Sequence, residues 1–324
     1  MVEDKILTTT VVSNLFLGRG PRYVKAQSGF YPVGIEIEAE NVHATSEAIP
    51  NGWLMTTDGS LRNRGVELVS QLPIRSAGGV EAKVGRACAM LQEHDATTSI
   101  RTGIHVHVNM QDITLAKLRN ILLAYALAEP ALYAYCGEDR ENNPYCIPWY
   151  DAPDALVSYS RFCHSPHSPV LIRRVVGVNK YSGLYIGPLG RFGTIEFRHL
   201  PTTLDPRRVI EWVNILQNLC KIGEETDYAQ LLCEVDHDDL VQTLLPELGL
   251  AAFSYVYDDV DVGHCMYKVV PWLRKKIDPS LWKMVNLEKS EVRERRPIPP
   301  HPLHRDFIND LLAMGRPNIT GGDE

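Results

Sequence analysis

Three short segments of the chain alternate strictly between polar and apolar residues. They span residues 34–40, 103–109 and 194–199. Successive side chains of a β-strand point to opposite faces, so each segment predicts a strand with one apolar and one polar face. The apolar faces are expected in a core. The polar faces are expected to line one cavity, because they carry Glu36 and Glu38, His105 and His107, and Glu196 and Arg198.

The same pattern, extended along the chain, predicts six strands. They cover residues 31–40, 53–58, 65–71, 103–110, 183–187 and 192–199. Asp58, Gly59 and Ser60 are typical turn residues between the second and third strands, which are therefore expected to form a hairpin.

Helical periodicity is found between and after these strands. It predicts helices over residues 78–94, 114–135, 206–221, 238–249 and 279–286. The helix over 206–221 has the clearest start signal, since Asp205 suits an N-cap and Pro206 suits the first helical position. Strands mixed with helices, without strict alternation, indicate an α+β fold: a mostly antiparallel sheet with helices on one side.

The expected domain spans residues 31–286, after an N-terminal arm at 1–30. Residues 137–182 have weak periodicity and are expected to form a long functional loop. Residues 287–324 read as a Pro-rich linker, a short helix at 302–314 and a polar tail.

Composition narrows the function classes. The 324-residue chain has a net charge of −7, which argues against a general nucleic-acid binder. No apolar run is long enough to span a membrane, and no signal peptide is recognised. Seven scattered cysteines without a Cys-x-x-Cys pair favour reduced thiols and a cytoplasmic protein.

The acidic residues suit divalent cations. Glu36 and Glu38 would lie about 6–7 Å apart along a strand, as two neighbouring magnesium ions require. The hairpin would bring Asp58 and Glu67 to the same ions. Each feature also has a simpler interpretation: a solvated sheet face, a plain turn, or a cross-strand ion pair.

The basic residues suit phosphates and metals. His105, His107 and Asn109 resemble a set of metal ligands or phosphate contacts, for zinc or for magnesium or manganese. Arg198 beside Glu196 could hold a phosphate bridged to a metal, or form a weak surface pair. Lys180 would add a positive charge, and Asp58, Arg62 and Arg101 are candidate substrate contacts.

In their order along the chain these motifs resemble the putative amidoligase enzymes of the carboxylate–amine ligase superfamily. The motifs are Gly-x-Glu-x-Glu, Asp-Gly-Ser-Leu, Gly-Val-Glu-Leu-Val-Ser, His-x-His-x-Asn, Lys-Tyr and Gly-Thr-Ile-Glu-Phe-Arg, within residues 31–215. The resemblance implies a half-barrel sheet related to that of glutamine synthetase, with helices on its convex side. It also implies that ATP and magnesium or manganese activate a carboxylate as an acyl phosphate, which an amine then attacks.

By this resemblance, the site residues divide into groups with different roles. The metal ligands would be Glu36, Glu38, Glu67, His105 and Glu196. The ATP contacts would be His107, Asn109, Lys180 and Arg198. The catalytic residues would be Arg198, Glu67 and Glu196. One departure concerns the Lys-Tyr motif: Lys180 and Tyr185 stand where many members have an Arg-Tyr pair followed by an Asn.

The expected function is therefore an ATP-dependent ligase acting on small-molecule or peptide carboxylates and amines. Two alternatives remain open at this stage. One is a hydrolase with a single zinc held by His105, His107 and Glu67 or Glu196; the other is a non-enzymatic binding or structural protein. The sequence leaves the two substrates and the oligomeric state open.

Overall fold

A six-stranded antiparallel sheet forms the centre of the computed structural model, which describes residues 9–152 and 180–226. The strands are β1 (Val33–Ala39), β2 (Trp53–Thr56), β3 (Val66–Ser70), β4 (Gly103–Asn109), β5 (Leu184–Tyr185) and β6 (Thr194–Pro201). Their order is β2-β3-β1-β4-β6-β5, and every neighbouring pair is antiparallel. The predicted strands, hairpin and α+β class are confirmed. The sheet is open, and its half-barrel curvature stays a prediction.

Within the described residues, three long helices and one short helix accompany the sheet. They are α1 (Ala77–Glu93), α2 (Leu115–Cys136), α3 (Glu138–Glu141) and α4 (Pro206–Glu225). Side chains of Ser76, Thr114 and Asp205 cap the long helices by accepting backbone N–H groups of the first turn. The helices predicted over 78–94, 114–135 and 206–221 are thus confirmed. Those predicted near 238–249, 279–286 and 302–314 lie outside the described residues.

Single turns of other helix types complete the described secondary structure. A π-helical turn spans Ser13–Leu17, and 3₁₀ turns span Ser46–Ala48, Trp149–Asp151 and Gly187–Gly190. In the described ranges, no helix combines the length and the apolar character that crossing a membrane would require.

The alternation seen in the sequence decides which strand residues enter the core. Ile35 and Ile37 of β1, Ile104 and Val106 of β4, and Phe197 of β6 have no exposed surface. They join the apolar residues of the three long helices in one cluster. Each fully buried side chain of this size contributes roughly 1.5–3 kcal/mol. The polar residues between them therefore face the other side of the sheet.

A β-bulge interrupts the pairing of β4 with β6. The register shifts between Ile104 and Val106, so that Arg198 and His199 together oppose His105. His199 is fully buried and contacts the ring of Trp212 in α4, whereas Arg198 faces the opposite side of the sheet. Arg140 of α3 donates from Nε to the carbonyl of His199 at 2.8 Å and from Nη2 to that of Arg198 at 2.6 Å. Its guanidinium thus satisfies the two carbonyls at the bulge.

The described part of the N-terminal arm packs against the end of β4. The backbone N–H of Val12 donates to the carbonyl of Ile113, and Val12 is fully buried. Further along the arm, the N–H of Arg22 donates to Gln111 and that of Lys25 to Asp112. The arm is therefore anchored by the turn that follows β4.

The cysteines within the described residues are free thiols. Cys88, Cys136, Cys146 and Cys220 are all buried. Burial raises the pKa of the Cys220 thiol, so it packs as a small apolar side chain. The other three cysteines of the sequence lie outside the described ranges.

Candidate active site

The polar face of the sheet borders a cavity of about 290 Å³. Ten of the predicted site residues line it: Glu36, Glu38, Asp58, Glu67, Arg101, His105, His107, Lys180, Glu196 and Arg198. They come from four strands and three connecting segments, so the sheet brings together groups that are far apart in the chain.

Glu36 lies between the two histidines. It is the register partner of His105, and His107 is the register partner of Glu196. The Glu36 carboxylate is 3.2 Å from Nδ1 of His105 and 3.1 Å from Nε2 of His107. Burial by itself would raise the pKa of Glu36, but the hydrogen bonds from the two imidazoles outweigh it and hold the pKa well below its usual range.

Glu38 and Glu67 form a pair of opposed carboxylates. They are direct partners in the register of β1 and β3, which places like charges side by side. Glu38 also accepts the backbone N–H of Gly103 at 2.7 Å. Burial, followed by the charges of Glu36 and Glu38, raises the pKa of Glu67 to about 8. A bound cation would relieve this repulsion.

Two groups of side chains have donor atoms close enough together to hold a metal ion. One is Glu36, His105 and Glu196; the other is Glu38, Glu67 and His105. Within each group the donor atoms lie within 4.8 Å of one another. Carboxylate oxygens with one imidazole nitrogen are ligands that magnesium and manganese accept, and neither group contains a thiolate, the ligand that softer metals prefer. The residues present therefore fit hard divalent cations.

Arg198 projects from the bulge into the same cavity. Its Nη1 donates to Glu196, and the Nε atom is buried without a hydrogen-bond partner among the described residues. Burial opposes the charge of the guanidinium, but the neighbouring Glu196 raises the pKa of Arg198. Arg198 therefore remains charged, and its Nη2 has no hydrogen-bond partner among the described residues.

Asp58 and Lys180 lie at another part of the cavity wall. Asp58 accepts the backbone N–H of Ser60 at 2.6 Å, which fixes the predicted turn. Burial opposes ionisation here, but this hydrogen bond and the charge of Lys180 lower the pKa of Asp58. The Nζ atom of Lys180 lies 4.8 Å from the ring centroid of Tyr181.

Two predicted site residues are not part of the cavity wall. Arg62 is exposed, and its Nη1 donates to the carbonyls of Gly59 and Leu61 in its own turn. Asn109 is buried at the end of β4, where its side chain donates to the carbonyl of Tyr23 and to Asp112. The alternation does place Asn109 on the polar face, but the N-terminal arm covers this end of the strand.

The structure adds residues that the sequence did not indicate. Arg140, Tyr145, Arg191 and Phe192 also line the cavity. Arg140 and Tyr145 follow α2 in a segment without periodicity, and Arg191 and Phe192 lie in a Gly-rich segment that reads simply as a loop. Only the position of these segments against the sheet identifies them as cavity residues.

Comparison with known proteins identifies one family. A family model described as a putative amidoligase enzyme matches residues 34–220. The match includes every residue of the two groups that could hold a metal ion, and Arg198. No curated protein matches the chain.

Proposed function

Because the chain belongs to the family of putative amidoligase enzymes, we propose that it is an ATP-dependent ligase joining a carboxylate to an amine. In the proposed reaction the γ-phosphoryl group of ATP passes to the carboxylate oxygen, and ADP leaves. The amine then attacks the acyl carbon, phosphate departs, and the nitrogen loses a proton. The product is an amide.

The chain's own residues would supply binding, orientation and charge. Glu36, Glu38, Glu67, His105 and Glu196 would hold magnesium or manganese. When bound, these ions would neutralise the charge of the phosphate oxygens, which is much of what phosphoryl transfer requires.

Arg198 and His107 are the proposed phosphate contacts. Arg198 lines the cavity and its Nη2 has no hydrogen-bond partner among the described residues, which supports a hydrogen bond to a phosphate oxygen. His107 is hydrogen-bonded to Glu36, which raises the pKa of the imidazole despite its burial. A protonated His107 would add positive charge beside Arg198.

The observation that carries this proposal is the pair of metal-binding groups sharing His105. A single-zinc hydrolase was expected to use both histidines, yet His107 belongs to neither group within the described residues. A purely structural protein would expose its charges to solvent. Glu38 and Glu196 are instead only 4% and 5% exposed.

The test is ADP release with magnesium and ATP across a panel of amino acids and amines, with detection of the coupled product by mass. The Glu36→Gln protein is expected to lose at least about 100-fold in rate with its fold retained, since it loses a proposed metal ligand. Glu81→Gln provides the matched control, because Glu81 is an exposed residue of α1.

Two results would contradict the proposal. Normal amide formation by Glu36→Gln would exclude the proposed site. One tightly bound zinc ion without ATP binding would favour the hydrolase.

A further inference from the structure

Two guanidinium groups line one wall of the cavity, and neither forms an ion pair with a carboxylate of the described residues. We define this arginine wall as Arg101, Arg140 and Tyr145, all of which line the cavity. We propose that the arginine wall binds an oxyanion of a substrate, at the end of the cavity where Glu38 also lies. The identity of the ligand rests on the proposed function, because a ligase substrate or nucleotide would supply the oxyanion. The existence of the subsite does not depend on it.

Arg140 is a buried cation without an acidic partner among the described residues. Its side chain belongs to a residue only 3% exposed, and no ion pair joins it to a carboxylate in residues 9–152 and 180–226. Its hydrogen bonds use Nε and Nη2, both to carbonyls of the bulge. Within the same ranges, Nη1 has no hydrogen-bond partner. Because an uncompensated buried charge is costly, a bound anion is expected beside it.

Arg101 lies on the same wall. Its Nη1 donates to the hydroxyl of Tyr145, and its guanidinium lies 5.6 Å from the centroid of that ring. No described carboxylate forms an ion pair with Arg101. A guanidinium offers five N–H donors, so Arg101 keeps donors free for an incoming oxyanion.

The loop that carries Tyr145 is tied to the loop that carries Arg101. Asn143 donates from Nδ2 to the carbonyl of Ile100 at 2.6 Å and accepts the N–H of Tyr145 at 2.9 Å. The bulge carbonyls fix Arg140 independently. The arginine wall is therefore held in place before any ligand arrives, which lowers the entropic cost of binding.

The position of the arginine wall separates it from the proposed phosphate contacts at His107. Arg140 lies at the Gly103 end of β4, since a side chain at Gly103 would come within 3.2 Å of its Nη2. From Gly103 to His107 the strand advances about 13 Å, at ~3.3 Å per residue. Glu38 lies at the arginine end, since its Oε2 accepts the N–H of Gly103, whereas Glu36 and Glu196 lie nearer His107. The arginine wall and His107 can therefore contact different anionic groups.

The oxyanion has two chemical sources: a carboxylate of the substrate that is joined, or a phosphate of the nucleotide. The experiment measures the affinity of the full chain for glutarate and for pyrophosphate by calorimetry, in magnesium buffer. The test variant is Arg101→Gln, which keeps the bulge intact. The control is Arg62→Gln, since Arg62 is exposed and does not line the cavity.

Arg101→Gln is expected to weaken binding of at least one probe by tenfold or more, whereas Arg62→Gln changes neither by more than twofold. Loss confined to glutarate assigns the arginine wall to a substrate carboxylate, and loss confined to pyrophosphate assigns it to the nucleotide. Unchanged affinity for both probes, or no binding of either probe by the unsubstituted protein, would overturn the proposal.

These measurements need no turnover, so they separate the two proposals. If the protein binds glutarate through Arg101 but releases no ADP, the proposed oxyanion subsite is supported and the proposed ligase activity is contradicted. If the protein releases ADP but Arg101→Gln binds both probes as tightly as the original protein does, the ligase proposal is supported and the oxyanion subsite is contradicted.

Discussion

Glu224 is a carboxylate shared by residues from several parts of the described chain. Its oxygens accept from Nζ of Lys25 at 2.5 Å and Nζ of Lys117 at 2.7 Å, and from the hydroxyl of Tyr31. The side chain is only 8% exposed. One ionised residue thus connects the N-terminal arm, α2, the entry to β1 and α4.

The substitution Glu224→Gln is expected to lower stability at pH 7 by about 1–3 kcal/mol, because three donors lose a charged acceptor. Burial opposes ionisation, but the hydrogen bonds lower the pKa of Glu224 from 4.5 to about 2. The contribution is therefore complete above pH 4.5 and is lost as the pH falls towards 2.

Urea unfolding at several pH values measures this effect. The stability difference between the original protein and Glu224→Gln should narrow below pH 4.5. Glu225→Gln is the control, since Glu225 is half-exposed and its carboxylate forms a long ion pair, 3.9 Å from Nζ of Lys221. A difference that stays constant from pH 7 to pH 3 would show that the charge of Glu224 does not stabilise the fold.

Between elements, the contact of α4 with α2 depends on a glycine. A Cβ added at Gly223 would lie 2.4 Å from Cα of Ile121. Because the obstacle is backbone, no side-chain rotation can relieve it. The two helices approach this closely only while position 223 lacks a side chain.

Gly223→Ala is expected to lower the free energy of unfolding by about 1–3 kcal/mol through overpacking. Gly85→Ala in α1 is the matched comparison, since nothing lies within 4 Å of its added Cβ. That change should stabilise the protein by roughly 0.5–1 kcal/mol, because alanine favours the helix. Denaturant midpoints measure both, and equal effects of the two substitutions would disprove the steric argument.

At the scale of the whole molecule, the sequence predicts those features of the fold that depend on local periodicity, namely the strands, their faces and the helix ends. Alternating residues identify the strands and place Glu36, His105 and Glu196 on one face, because the period of a strand is two. Helix caps such as Asp205 are equally local. The bulge, the arm that covers Asn109 and the position of Arg140 against the sheet depend on contacts between distant segments, so no local sequence pattern predicts them.

The candidate site draws residues from β1, β3, β4 and β6, so a bound ion would hold the sheet together. Manganese at 100 times its dissociation constant is expected to stabilise the protein by about 2.7 kcal/mol per independent site, seen as a higher Tm. Glu196→Gln and Glu67→Gln each remove one ligand from a different group. Each variant should show a smaller metal-dependent rise than the original protein.

Glu81→Gln, outside the cavity, should keep the full metal-dependent rise in Tm. If all these proteins respond equally to manganese, neither carboxylate binds the metal. If one variant loses the whole response and the other loses none, a single ion occupies the cavity.

His105 presents a different nitrogen to each group of carboxylates. Nδ1 lies 3.2 Å from Glu36 and 3.7 Å from Glu196, whereas Nε2 lies 3.8 Å from Glu38. A neutral imidazole has one lone pair, and its other nitrogen carries the proton. The tautomer of His105 therefore decides which ion receives nitrogen and which is surrounded by oxygen alone. Two ions bound here would be chemically inequivalent, and a softer metal should exchange into one position before the other.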